Sequence, residues 1–186
     1  FTFSAASAII NINGGAGTDV LDYTALATPV TVNLVTNSAT SVNLGAVGAI
    51  SGIENATGGS ANDTLTGNAS NNTLIGNNGN DSLTDGAGND SLDGGGNDDT
   101  YLLTPGGADV INDASGTNDT ADFTGAAAGI AIDMDSNGVQ TVNGVNTVQI
   151  TGASPIENFT GSTQNDAVFV DALLGTGTFG EVREPY

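Results

Sequence analysis

Residues 58–102, written in nines, read GGSANDTLT (58–66), GNASNNTLI (67–75), GNNGNDSLT (76–84), DGAGNDSLD (85–93) and GGGNDDTYL (94–102). Position six is Asp63, Asn72, Asp81, Asp90 and Asp99; position eight is Leu65, Leu74, Leu83, Leu92 and Tyr101. Position seven is always Ser or Thr. A fixed period carried through successive units is the mark of a stacked solenoid, so it outranks any local helix or strand reading. The first six residues of each unit are mostly Gly, Asn and Asp, which tolerate sharp turns and positive φ. The last three alternate out, in, out, as a short strand does. Such a unit has no core alone but can bury its Leu against the Leu of its neighbours.

Stacking also places an acidic turn over an acidic turn. Like charges that close repel. A hard divalent cation between turns reverses the sign of that interaction. Calcium suits turns that offer carboxylates and bent carbonyls, because it takes 6–8 oxygens in flexible geometry.

These units resemble the RTX nonapeptide, GGxGxDxUx; GGAGTDVLD at 14–22 matches it in full. The resemblance implies a parallel β-roll, one nonapeptide per half turn, with Ca2+ between successive turns. It implies that Asp63, Asp81 and Asp99 line one calcium column and that Asn72, Asp90 and Asp109 line the other. Leu65, Leu83 and Tyr101 are then inward on one sheet, Leu74 and Leu92 on the other. Asp19 of the isolated nonapeptide and Asp166, which follows Asn165 as Asp63 follows Asn62, join the metal candidates. Asn72 replaces the expected Asp, which predicts a weaker or missing site. Asn97 stands where the second-half Gly belongs, so both Asp98 and Asp99 are candidate ligands in the last unit.

The chain of 186 residues carries 21 acidic residues against one basic residue, Arg183, for a net charge of −20. Phosphate binding needs Lys and Arg, so nucleic acid is not an expected partner. Cys, His and Trp are absent, which removes disulfides and any thiolate or imidazole metal site. The common catalytic bases and nucleophiles are missing with them, so no enzyme is expected. The apolar runs are too short to insert in a membrane. The chain begins at Phe1 rather than Met, which is read as a processed or partial chain. Abundant Gly and Asn with frequent Val, Ile and Thr predict an all-β fold rich in turns.

Outside the nonapeptides the period lapses. Val30, Val32 and Leu34 alternate with Thr31 and Asn33 as a half-buried strand, and Val42 with Leu44 suggests another. A second periodicity then appears. Asp19–Tyr23 (DVLDY) resembles Asp119–Phe123 (DTADF), PVTVNL at 29–34 resembles GIAIDM at 129–134, and GIENATG at 52–58 resembles PIENFTG at 155–161. The chain is thus read as a tandem duplication of a unit of about 100 residues. Residues 1–12 form an N-terminal strand segment, 13–112 the first unit and 113–186 the second, with an apolar C-terminal tail, all in one continuous solenoid. Asp133, Asp135, Asn137 and Gly138 imitate the front of an EF-hand loop, but Gly144 stands where its Glu belongs, so a hairpin turn is preferred. Glu54 and Glu157, at matching places, are read as acceptors for a neighbouring backbone turn ahead of cation ligands.

The expectation is an extracellular, cell-surface calcium-binding structural protein whose folding depends on calcium. Three roles fit: a self-assembling, head-to-tail subunit of a filament, sheath or layer; a spacer or adhesion module of a large RTX-type adhesin, with neighbouring domains as partners; or the repeat domain of a secreted enzyme or toxin.

Overall fold

In this computed structural model the described residues are 1–2, 11–40, 47–104, 106–126, 131–133, 139–142, 146–152, 156–162, 164 and 167–169. Among them there is no helix. In chain order the strands are β1 (Asn11–Asn13), β2 (Val20–Asp22), β3 (Thr31–Asn33), β4 (Ser38–Thr40), β5 (Val47–Ser51) and β6 (Asn55–Thr57). The repeat run gives β7 (Thr64–Thr66), β8 (Thr73–Asn78), β9 (Ser82–Thr84), β10 (Ser91–Gly96) and β11 (Thr100–Leu102). Then come β12 (Ala108–Asp113), β13 (Thr120–Asp122), β14 (Ala131–Asp133), β15 (Val139–Val142), β16 (Asn146–Gly152), β17 (Asn158–Thr160) and β18 (Ala167–Phe169).

From β6 to β13 the chain changes sheet at every strand. The odd-numbered members join a nine-stranded sheet, β1-β5-β4-β3-β7-β9-β11-β13-β17; the even-numbered ones join a seven-stranded sheet, β15-β16-β12-β10-β8-β6-β2. Each nonapeptide is therefore one half turn. Leu65 pairs with Leu83 and Leu83 with Tyr101 across parallel strands, while Leu74 pairs with Leu92 on the other sheet. The architecture is an all-β, parallel β-roll.

The alternation written in the sequence becomes burial. Leu65, Leu74, Leu83, Leu92 and Tyr101 are all fully buried, and with Leu21, Ile111 and Ala121 they fill one apolar core between the sheets. The flanking Ser and Thr face outward or lie at the rim. Each buried Leu stabilises the stack by roughly 1.5–3 kcal/mol relative to exposure. A single unit gains little of that, because its Leu is covered only when units on both sides are present.

Position five, Asn in the first four units, forms a hydrogen-bonded ladder along the turns. Asn62 Oδ1 accepts from Asn80 N at 3.0 Å, and Asn71 Oδ1 from Asn89 N at 2.9 Å. β8 and β10 of the seven-stranded sheet run to six residues, since pairing continues as Asn77↔Gly95 and Asn78↔Gly96. Asn77 (φ 79°) and Gly95 (φ 101°) share the left-handed conformation, so their backbones stack in register. Asn97 is also left-handed (φ 78°), as are Gly79 and Gly88 at the same position of the preceding units. It fills the glycine role, and the register of β11 is unchanged.

Residues 23–52 do not lie apart from the roll. β3, β4 and β5 form an antiparallel meander inside the nine-stranded sheet, and β5 returns to pair with β1. Val30, Val32 and Leu34 are buried, as their alternation predicts. The second copy repeats part of the plan, with β15 and β16 in the seven-stranded sheet and β14 and β18 as a two-stranded sheet of their own. β15 pairs antiparallel with β16, β16 pairs with β12 as β5 pairs with β1, and β14 pairs with β18 as β3 pairs with β7. The strand suggested at Val42 and Leu44, the loop at 134–138, Asp166 and the tail from Val170 lie outside the described residues.

Candidate metal centre

The position-six residue sits at the end of its turn, immediately before its strand. This places Asp63, Asp81 and Asp99 in one line along the roll. Each receives a backbone N–H from the layer before it. Asp63 Oδ1 accepts from Val30 N at 2.8 Å, Asp81 Oδ1 from Asp63 N at 2.7 Å, and Asp99 Oδ1 from Asp81 N at 2.8 Å. The line continues: Asp119 Oδ1 accepts from Asp99 N at 2.7 Å, and Glu157 Oε2 from Asp119 N at 2.8 Å. On the other side Asp19 N donates to Glu54 Oε2 at 2.8 Å, Asn72 N to Asp90 Oδ1 at 2.7 Å and Asp90 N to Asp109 Oδ1 at 3.0 Å. The N–H bonds therefore fix one oxygen of each carboxylate, and in Asp63, Asp81 and Asp99 the other faces the position-one glycine of its own turn; in Asp63 it also accepts from Gly59 N at 2.6 Å.

That second oxygen is what distinguishes the columns. The Oδ2 atoms of Asp81, Asp90, Asp99 and Asp119 are buried and have no hydrogen-bond partner. A buried anion without a partner is strongly unfavourable unless it is neutralised. The position-one glycines make room for these oxygens. A Cβ on Gly76 would strike Asp81 Oδ2 and stand 2.6 Å from the Gly94 carbonyl oxygen; one on Gly94 would strike Asp99 Oδ2. Burial is the main cause that raises these carboxyls from 3.8: Asp81 and Asp90 to about 6, Asp119 to about 7 and Asp99 to about 8. Neighbouring carboxylates push the same way, while the backbone N–H bonds pull back. Asp63 and Asp109 move upward for the same reason. The donor set is all oxygen, strongly anionic and closed to solvent, which fits a hard cation such as Ca2+.

Of the residues read from the sequence, Asp63, Asp81 and Asp99 share one column, and Asn72, Asp90 and Asp109 the other. Asn72 closes its own position without a charge: Nδ2 donates to the Glu54 carbonyl oxygen at 2.6 Å, and Oδ1 accepts from Asn68 N at 2.7 Å. Asp98 stands off the column. It holds position five of the ladder, where its Oδ1 accepts from Thr117 N at 3.1 Å. Asp19 is half-buried, its carbonyl oxygen accepting from Glu54 N and Asn55 N. Glu54 and Glu157 are acceptors of a backbone turn, the role preferred from the sequence, and they also lie in line with the columns.

Three buried carboxylates escaped the sequence reading: Asp85, Asp113 and Asp119. Asp85 takes position one, where the other units have Gly, and accepts from Gly86 N at 2.6 Å and Thr104 N at 2.9 Å. Burial, with Asp109 and Asp90 nearby, pushes it up to about 7. Asp113 stands at position one as the last residue of β12, and Asp99, Asp113 and Asp119 each place an oxygen within 4.8 Å of the other two. Asp119 could have been found, since it is the duplication partner of Asp19.

Residues 49–83 and 75–103 match the RTX calcium-binding nonapeptide repeat (4 copies). The chain carries RTX calcium-binding repeats. The matched RTX segment is the stretch that builds both columns from Asp63 to Asp99. A comparison with curated proteins finds no match. No helix among the described residues is long and apolar enough to cross a membrane.

Proposed function

We propose that this chain is an extracellular structural β-roll whose folding is switched on by calcium, and that folded copies associate head to tail into a surface filament, sheath or layer. The observation that carries the calcium switch is the set of four buried Oδ2 atoms without partners, at Asp81, Asp90, Asp99 and Asp119. Without a cation the ionised columns oppose the fold, and a core built of single Leu residues does not offset chain entropy. Calcium supplies the positive charge between layers and couples binding to folding. Extracellular calcium is high enough to saturate sites of modest affinity.

The association is supported by a sheet edge. Among the described residues, β1 pairs with β5 on one side only, whereas its counterpart β12 pairs with β16 on one side and β10 on the other. The internal copy thus illustrates the kind of strand that a β1 edge accepts. An unpaired parallel edge is a template for strand addition by another chain, and head-to-tail contacts that do not close give filaments. The second reading is a module of a longer adhesin, favoured by the way one unit already stacks on another through β11 and β13.

Light scattering together with circular dichroism, on calcium-stripped protein as calcium is raised to millimolar and then chelated, tests this. Growth that appears with the β signal and reverses on chelation is the expected result. A folded monomer at every calcium concentration discards self-assembly and leaves the adhesin module. A β signal indifferent to calcium discards the switch.

A further inference from the structure

The nonapeptide columns use carboxylates only from position six. The place where the repeat run meets the second copy is built differently. Asp99 ends the run, Asp119 opens the second copy, and Asp113 enters from the position-one site that closes β12. Oxygens of these three lie within 4.8 Å of one another, and the residues are 1%, 0% and 0% exposed respectively for Asp99, Asp119 and Asp113. Two of them, Asp99 and Asp119, hold an Oδ2 with no hydrogen-bond partner. Gly94 and Gly116 lack a side chain where a Cβ would strike those same two atoms. Asp113 is held in place by Ser115 N to its Oδ1 at 3.1 Å and by the Tyr101 hydroxyl to its Oδ2 at 2.8 Å. Tyr101 is the one position-eight residue of the run that is not Leu, and its hydroxyl also accepts from Gly94 N at 3.0 Å. Glu157, Asp98 and Asp93 add negative charge around the cluster.

From this geometry we infer that Asp99, Asp113 and Asp119 form a three-carboxylate calcium site at the end of the Asp63–Asp99 column, which clamps the second copy onto the repeat run. It rests on the calcium reading above and goes beyond it, since Asp113 lies outside the nonapeptides and Tyr101 replaces the Leu of position eight. Three carboxylates converge here, against position-six pairs in the interior of the run. Ligand charge raises calcium affinity, so this ion is the last to leave on chelation. Asp85, the other position-one aspartate, serves as contrast: both its oxygens accept backbone N–H groups and neither is unpartnered.

The test counts bound ions on the full chain and uses Tyr101 as an antenna. Native mass spectrometry in calcium should give Asp113→Asn one ion fewer than the parent, and Asp85→Asn the same number. Terbium excited through tyrosine should emit from the parent; Asp113→Asn and Tyr101→Phe should each lose most of that emission, and Tyr23→Phe should keep it. Tyr101→Phe preserves the ring, so it keeps the test open where Asp113→Asn does not fold. An unchanged count and emission in Asp113→Asn, or full emission from Tyr101→Phe, overturns the clamp while the calcium roll stands. A parent chain that binds no calcium overturns both.

Discussion

Asp81→Asn should stabilise the chain without calcium and destabilise it with calcium. Asp81 lies between Asp63 and Asp99, accepts Asp63 N through Oδ1 at 2.7 Å and leaves Oδ2 buried without a partner. Asn keeps the accepting oxygen and replaces the charged one with an amide. Asn72 shows that a position-six amide is accommodated, in the reversed orientation: its Nδ2 donates to a carbonyl oxygen of the previous layer and its Oδ1 accepts from Asn68 N. In calcium the variant loses one ion. At a calcium concentration about a hundred times the dissociation constant, that costs about 2.7 kcal/mol. In chelator it loses a buried charge. The rise of the Asp81 carboxyl from 3.8 to about 6 corresponds to ~3 kcal/mol. Solvent and counterions at the rim of the column roughly halve that, leaving a gain of about 1.5 kcal/mol. The assays are the urea midpoint and the ion count in calcium, and in chelator the pH at which the β signal is lost. If Asp81→Asn binds as many ions, or is less stable under both conditions, the carboxylate is only a hydrogen-bond acceptor and the column reasoning fails.

Asn72→Asp should do the reverse: one more ion by native mass spectrometry, a tighter calcium midpoint, and a lower stability in chelator. Acid should substitute for calcium. The folded carboxyls of Asp81 and Asp90 (about 6), Asp119 (about 7) and Asp99 (about 8) all lie above 3.8. Their contribution is therefore present below about pH 4 and lost as pH rises through about 6 to 8, which circular dichroism in chelator would follow. In calcium the dependence inverts, because the ion competes with protons for the same oxygens. Leu83→Ala, at a fully buried site between Leu65 and Tyr101, should cost about 3 kcal/mol. With about three ions taken up together, one shared by Asp99 and Asp119 and one each at Asp81 and Asp90, that cost raises the calcium midpoint about fivefold; no shift would mean that the Leu stack is not part of the calcium-coupled unit.

The roll was legible because its period is covariant with its physics. Leu at position eight and Asp at position six recur at the spacing of one half turn, so a linear pattern maps directly onto a core and a column. Asp98 shows where this stops. It is chemically identical to Asp99 and adjacent to it, yet it occupies the ladder of position five, which Asn62, Asn71, Asn80 and Asn89 spell out in the sequence. That ladder is the signal that separates the two. Asp85 and Asp113 were hidden because position one reads as a glycine whose only task is to turn. Its second task, leaving space for the carboxylate of the same turn, depends on side-chain direction, which the spacing does not report. The meander of β3, β4 and β5 was hidden for another reason. Its strands alternate like any others, and nothing local states that β5 runs back past β4 to reach β1.

The duplication gains its meaning from an odd count of half turns. Asp19 and Glu54 lead into β2 and β6 of the seven-stranded sheet, whereas their counterparts Asp119 and Glu157 lead into β13 and β17 of the nine-stranded sheet. The contact is the same in both: the Asp N–H donates to the Glu carboxylate at 2.8 Å, and the Asp carbonyl oxygen accepts from the Glu and the following Asn. A nonapeptide advances the chain by half a turn, so the second copy is presented on the side opposite the first. One column therefore begins with an Asp–Glu pair and the other ends with one. Among the described residues the three-carboxylate cluster stands on one side: Asp119 arrives directly above Asp99 beside Asp113, whereas on the other side Asp90 and Asp109 meet Asp85, whose two oxygens are already taken by backbone N–H groups. Removal of eighteen residues, a full turn, would keep that alignment. Removal of a single nonapeptide upstream of Asp99 would carry Asp99, Asp113 and Asp119 together to the opposite side, since Asp99 and Asp119 stay one full turn apart; the repeat number sets the side of the roll on which the cluster stands, and its residues set the cluster.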